Sequence, residues 1–138
     1  LPAIEDSVSR WNQLYDRLAA HFRKMDGVVI PARRKEEFYV GSSIQFRAEG
    51  LDRSQIPALM ASCAARGVEL KWFGDDTPKA FTSRYDSWKY IDDIPHLPGT
   101  LSVLEKTLDM RVPLTFDLDD CDLIAHIIDE EVRVLMAA

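Results

Sequence analysis

An uninterrupted apolar run of the roughly 20 residues needed to cross a bilayer is missing from this chain, and so is the charged-then-apolar opening of a secretory signal. Both absences point to a soluble, cytoplasmic protein without a membrane partner. Basic residues are outnumbered, with 17 lysines and arginines against 23 aspartates and glutamates, a formal net charge of −6. That deficit argues against a nucleic-acid partner, whose phosphates need a basic face to displace their counterions. The one basic run, Arg33-Arg34-Lys35, has no glycine or aromatic pattern beside it and reads as a solvated turn. Cysteine is scarce as well. Cys63 and Cys121 each fall on the apolar side of a predicted helix, which suits buried reduced thiols better than a disulfide or a redox pair.

Catalytic signatures are equally sparse. The six glycines form no phosphate-binding loop, no serine stands in a Gly-x-Ser-x-Gly elbow, and neither cysteine has an adjacent base. His21, His96 and His126 lie far apart with no ligand spacing, so no metal site is expected. Asp117, Asp119, Asp120 and Asp122 lack the glycine and terminal glutamate of a calcium loop, and helix capping accounts for them better.

What the chain does contain is amphipathic periodicity. At 138 residues and 46% hydrophobic side chains it fits one compact domain, 1–138. Ile4, Val8, Trp11, Tyr15, Leu18, Phe22 and Met25 alternate by four and three, the spacing of one apolar helix face, and predict a long first helix covered along its whole length. Gly27 ends it, and Val28-Val29-Ile30 reads as a short strand stopped by Pro31. A longer half-buried strand is predicted from Phe38 to Ala48, with Phe38, Val40, Ser42, Ile44, Phe46 and Ala48 on one face.

A second helix carries Ile56, Leu59, Met60 and Cys63, capped most easily by Ser54 because Pro57 must stay inside the first turn, and it stops at Gly67. Val68, Leu70 and Trp72 then alternate as a third strand. Short helical stretches, an extended apolar link at Met110–Leu114 and a final helix capped by Asp117 complete the chain. With the first strand between the other two, every neighbouring pair is antiparallel. The expected fold is α+β: a small three-stranded, mainly antiparallel sheet in a split β-α-β arrangement, with helices packed on one face.

The polar and aromatic excursion from Gly74 to Tyr90 is where chemistry is expected, since long excursions in compact domains are uncommon and often functional. Lys71, Lys79, Arg84 and Lys89 offer cations, and Trp72, Phe81, Tyr85, Trp88 and Tyr90 offer flat walls. Arg84 has the planar fork that holds a carboxylate or phosphate bidentately. The plainer reading is that these aromatics pack the loop on its own domain and that Arg84 pairs with Asp75, Asp76 or Asp86.

Met25-Asp-Gly-Val-Val-Ile-Pro31, the strand to Ala48, Gly50-Leu-Asp-Arg through Ala65-Arg-Gly-Val-Glu-Leu70, and the tail Leu101–Leu135 resemble the C-terminal small domain of fold-type-I pyridoxal-phosphate aminotransferases. The nearest branch is the DegT/DnrJ/StrS sugar aminotransferases: Arg66-Gly-Val-Glu-Leu-Lys71 is similar to that family's Arg-Gly-Ile-Glu-Thr-Arg, and Val112-Pro-Leu114 to its Leu-Pro-Leu. The resemblance implies a parent enzyme, a cytoplasmic homodimer, that moves an amino group from a small-molecule donor to a keto acceptor. Its cofactor is pyridoxal 5'-phosphate, held by a lysine of a large domain of the same chain. It also implies that this part covers the active-site mouth, with no catalytic or cofactor-binding residue of its own and with Lys71, Trp72, Arg84 and Tyr85 on the substrate side. Lys71 falls where the family has arginine, and Phe73-Gly-Asp-Asp76 replaces its aromatic-proline and histidine run. A start at Leu1-Pro2-Ala3, without methionine, is what an excised piece would show. The alternative is a stand-alone small-molecule-binding or regulatory α+β domain; a third reading is an interaction module that self-associates through its exposed apolar face.

Overall fold

The computed structural model describes residues 2–77, 79, 85–87 and 92–138. Four α-helices and three strands follow in the order α1 (Pro2–Phe22), β1 (Ser43–Arg47), α2 (Ile56–Ala65), β2 (Lys71–Trp72), α3 (Pro98–Leu104), β3 (Thr107–Arg111) and α4 (Leu118–Met136). The sheet runs β1-β3-β2, and both neighbouring pairs are antiparallel. β1, α2 and β2 therefore form a split β-α-β unit with β3 inserted between its strands, the expected α+β architecture.

The strand in the middle is not the expected one. Val28–Ile30 contributes a single bridge, in which Val29 and Arg47 exchange backbone bonds of 2.9 and 2.7 Å. The next such position would pair residue 31 with Gln45, and Pro31 has no N–H to donate, so the ladder ends there. The centre is taken instead by Thr107–Arg111, at the start of what reads as an apolar link. Leu108 stands opposite Phe46 and Met110 opposite Ile44, and all four are buried, while Thr107, Asp109 and Arg111 point to the other face.

The long second strand is also shorter than its alternation implies. Phe38 is 90% exposed and pairing starts only at Ser43. The residues just before it bond to a helix instead of a neighbouring strand: Asn12 accepts from the Gly41 N–H (2.8 Å) and donates to the Tyr39 carbonyl (3.1 Å). Gly41 is needed for that approach, since a Cβ there would fall 2.5 Å from the Cβ of Tyr15. Arg33 lies over the rings of both Tyr15 and Tyr39, at 4.6 and 4.1 Å, and the Tyr39 hydroxyl donates to Asp16.

Helices α1, α2 and α4 cover one face of the sheet. Leu14, Leu18 and Phe22 from α1 meet Ile44 and Phe46 from β1, Leu59 and Cys63 from α2, and Cys121, Ile128 and Val132 from α4 in one cluster. Phe22 and Phe46 meet edge to face at 5.0 Å. The stripe on α1 is not covered along its whole length, however, because Ile4 at its amino end is 58% exposed. At the start of α2, a 3-10 turn over Arg53–Gln55 intervenes: the Asp52 N–H donates to the Gln55 side chain, and Pro57 sits in the first turn of the helix proper. Gly67 adopts φ +85 at the far end, the left-handed residue expected there. Asp117 caps α4 reciprocally with Asp120, each side chain accepting the other's N–H at 2.9 Å.

Arg17 grips Asp122 of α4 with two 2.6 Å hydrogen bonds, and His21 lies 2.7 Å from the same carboxylate. The Arg17 bond is the main cause, with His21 next, of an Asp122 pKa drawn down to about 2 from its usual 3.8. A carboxylate more acidic in the folded than in the unfolded chain stabilises the fold above the unfolded value, and that stability disappears as pH falls through the folded value. Asp122→Asn is therefore expected to lower the thermal midpoint at neutral pH and to flatten its fall between about pH 4 and pH 2, read by circular dichroism. In the core, Phe46→Ala should cost about 3–5 kcal/mol in urea unfolding, because the ring is fully enclosed on the central contact between sheet and helix.

Candidate functional site

Alternation along β2 separates its two residues. Trp72 points into the protein, where it is 8% exposed, donates its indole N–H to the Glu105 carbonyl at 2.9 Å and carries the Arg53 guanidinium over its ring at 5.5 Å. Gly74 lies against it, so that a Cβ there would come within 2.6 Å of Nε1. Its indole is thereby committed to the packing of its own domain. Lys71 points the other way, to the face opposite α1, α2 and α4, and stands directly opposite Asp109 of β3, which in turn stands opposite Gln45 of β1.

Tyr85 is half-buried in a 3-10 turn over Tyr85–Ser87. Its hydroxyl donates to the Pro95 carbonyl at 3.0 Å and accepts from the Leu97 N–H at 2.8 Å, bracing the turn that leads into α3. Arg84 lies outside the described residues, as do Phe81, Trp88, Lys89 and Tyr90. The two acids at the start of the excursion have cationic partners. Lys79 binds Asp75 at 2.7 Å, which with the Thr77 N–H lowers the Asp75 pKa, and Arg53 binds Asp76 at 2.9 Å. Of the four residues expected on the substrate side, then, Lys71 lines a cleft, Trp72 faces inward and Tyr85 ties a turn.

The cleft beside Lys71 has a volume of about 220 Å³ and runs between β2, the end of β3 and the start of α4. Lys71, Glu69 and Arg111 are its charged groups, and Met110, Pro113, Phe116 and Ile124 form its apolar wall. Two bonds from α1 fix that wall: Trp11 donates to the Val112 carbonyl at 2.9 Å and Arg10 to the Phe116 carbonyl at 2.8 Å. Arg111 was not among the expected site residues. The signal for it was present, since Thr107-Leu-Asp-Met-Arg111 alternates polar and apolar as a strand does, putting Arg111 on the same face as Asp109. Asp109 is 1% exposed, the buried charged residue among those described, and its Oδ2 has no hydrogen-bond partner.

Both thiols are buried, and burial is the main cause pushing each pKa up to about 11. Among the described residues no group of three or more His, Cys, Asp or Glu is placed to hold a metal ion, and no helix is long and apolar enough to cross a membrane.

No protein-family model matches the sequence, and neither does any curated protein. Solved structures do match in fold. The aminotransferase TlmJ from Streptoalloteichus hindustanus superposes with a TM-score of 0.71 at 17% identity, over 93% of this chain and 32% of its own. 3-Amino-5-hydroxybenzoic acid synthase gives 0.73 at 16% identity over 94% of this chain and 35% of its own. DesI, solved in the presence of its TDP-sugar product, gives 0.70 at 13% identity over 95% and 32%. The chain thus spans about a third of the length of the proteins it resembles. At such identities the shared property is the fold, and the likeness read from the sequence holds at that level.

Thiols that ionise only near pH 11 inside a closed core react when the chain opens. Labelling of Cys63 and Cys121 with a disulfide reagent at pH 8 is expected to be slow in buffer and to reach two thiols per chain at once in denaturant.

Proposed function

We propose that these residues are the C-terminal small domain of a pyridoxal-phosphate-dependent aminotransferase of the DegT/DnrJ/StrS kind, closing the mouth of an active site built elsewhere and non-catalytic alone. The observation that carries this reading is the match of nearly the whole chain to one third of aminotransferase folds. The open end of the α1 stripe at Ile4, 58% exposed, and the exposed Val29 and Val103, at 42% and 43%, support a companion domain of the same polypeptide.

The residues present do not fit the cofactor. The cleft at Lys71 is smaller than the roughly 300–1,000 Å³ of sites for drug-sized ligands, and no glycine-rich turn beside it offers N–H groups to a phosphate. The cofactor lysine and phosphate cradle belong, on this reading, to the companion domain, and the parent is a homodimer acting on a small-molecule amino donor and keto acceptor in the cytoplasm. The part contributed here, on this reading, is cover and recognition, with Lys71 on the substrate side of the complete enzyme together with Trp72, Arg84 and Tyr85. Lysine in place of the family's arginine keeps the charge there and gives up the two-pronged geometry.

The test is spectroscopic. The complete polypeptide, purified with pyridoxal phosphate, is expected to show the absorbance of a lysine-bound cofactor near the visible–ultraviolet boundary and to lose it when an amino donor is added. The 138-residue piece should show neither. A complete polypeptide that binds no cofactor would sink the reading.

A further inference from the structure

We propose that the cleft between β2, β3 and α4 binds a small carboxylate, with Arg111 holding the anionic group and the wall of Pro113, Phe116 and Ile124 receiving an apolar tail. The inference rests on the cleft alone and does not depend on the aminotransferase reading.

Seven of the described arginines are held by neighbouring groups. Arg17, Arg47, Arg53, Arg66 and Arg133 each pair with an acid, Arg10 donates to a carbonyl, and Arg33 covers two tyrosine rings. Arg111 is exposed, borders a concave site, and makes no hydrogen bond or ion pair among the described residues. In a protein of net charge −6, a guanidinium left without an acid beside a cavity is a group whose planar fork remains available to a carboxylate.

The other charges around the cleft sharpen the choice of ligand. Lys71 also lines the cleft, and stands opposite Asp109 in the ladder. Glu69 is exposed at the rim, where water screens it. Arg111 stands next to the apolar wall, so its planar fork and that wall together suit one carboxylate carrying a hydrocarbon end. A volume of about 220 Å³, below that of sites for drug-sized ligands, restricts the occupant to a small molecule, and the apolar wall favours a hydrocarbon end over a sugar. Because Trp11 and Arg10 already hold Val112 and Phe116 in place, the wall needs no ordering when a ligand enters.

The experiment is a nuclear magnetic resonance titration of the isotope-labelled protein with 4-methylpentanoate and with its uncharged amide. The acid is expected to give saturable shifts at the amides of Lys71, Arg111 and Phe116, with the amide at least about tenfold weaker, the loss of one charge-assisted bond. Arg111→Gln should show the same loss. Arg34→Gln, an equal change of net charge away from the cleft, should bind as the unmodified protein does. Equal binding of acid and amide, full binding by Arg111→Gln, equal loss in Arg34→Gln, or no saturable shift at all would each overturn the proposal.

Discussion

Everything in this molecule is organised by the insertion of β3 between β1 and β2. The strand arrives some sixty residues after β1 and makes both of the ladders between named strands, leaving β1 only the single Val29–Arg47 bridge besides. Its inward residues, Leu108 and Met110, complete the layer that Phe46 and Ile44 present to the helices. Its outward residues, Asp109 and Arg111, define the face opposite. One five-residue strand thus contributes to both the hydrophobic core and the opposite, more polar face. Pairings so distant along the chain carry the entropic cost of closing a long loop before any contact forms, which makes β3 docking a natural late step in folding.

Helix α1 plays the complementary part, fixing by polar bonds what the sheet leaves irregular. Asn12 captures the backbone at Tyr39 and Gly41, Trp11 and Arg10 capture it at Val112 and Phe116, and Arg17 with His21 locks α4 through Asp122. These segments lack a neighbouring strand to satisfy them, and backbone groups near a core need partners. The helix provides them at intervals along its side while its apolar stripe closes the core. That dual use explains why the loop around Arg33 and the approach to α4 hold defined shapes.

The two faces of the sheet differ in kind. The covered face is an aliphatic and aromatic interior. The other carries Arg47, Lys71, Asp109 and Arg111, of which Asp109 alone is fully enclosed.

The sequence determined the features that depend on neighbours a few residues apart. The α1 stripe from Leu18 to Phe22, the left-handed glycines at 27 and 67, the Asp117–Asp120 cap and the burial of both cysteines are local matters of period, backbone freedom and end charge, whereas Ile4 at the helix start is left exposed. Alternation alone did not say which strand lies in the middle, because Val28–Ile30 and Leu108–Met110 have comparable apolar content. Only in the assembled sheet does the missing N–H of Pro31 count against the first, while Leu108 and Met110 find Phe46 and Ile44 waiting. The site divides in the same way. The alternation of Val68, Leu70 and Trp72 with Glu69 and Lys71 was legible, but that Trp72 turns inward while Lys71 and Arg111 border one cleft follows from strand register, which tertiary packing fixes by burying one face and exposing the other.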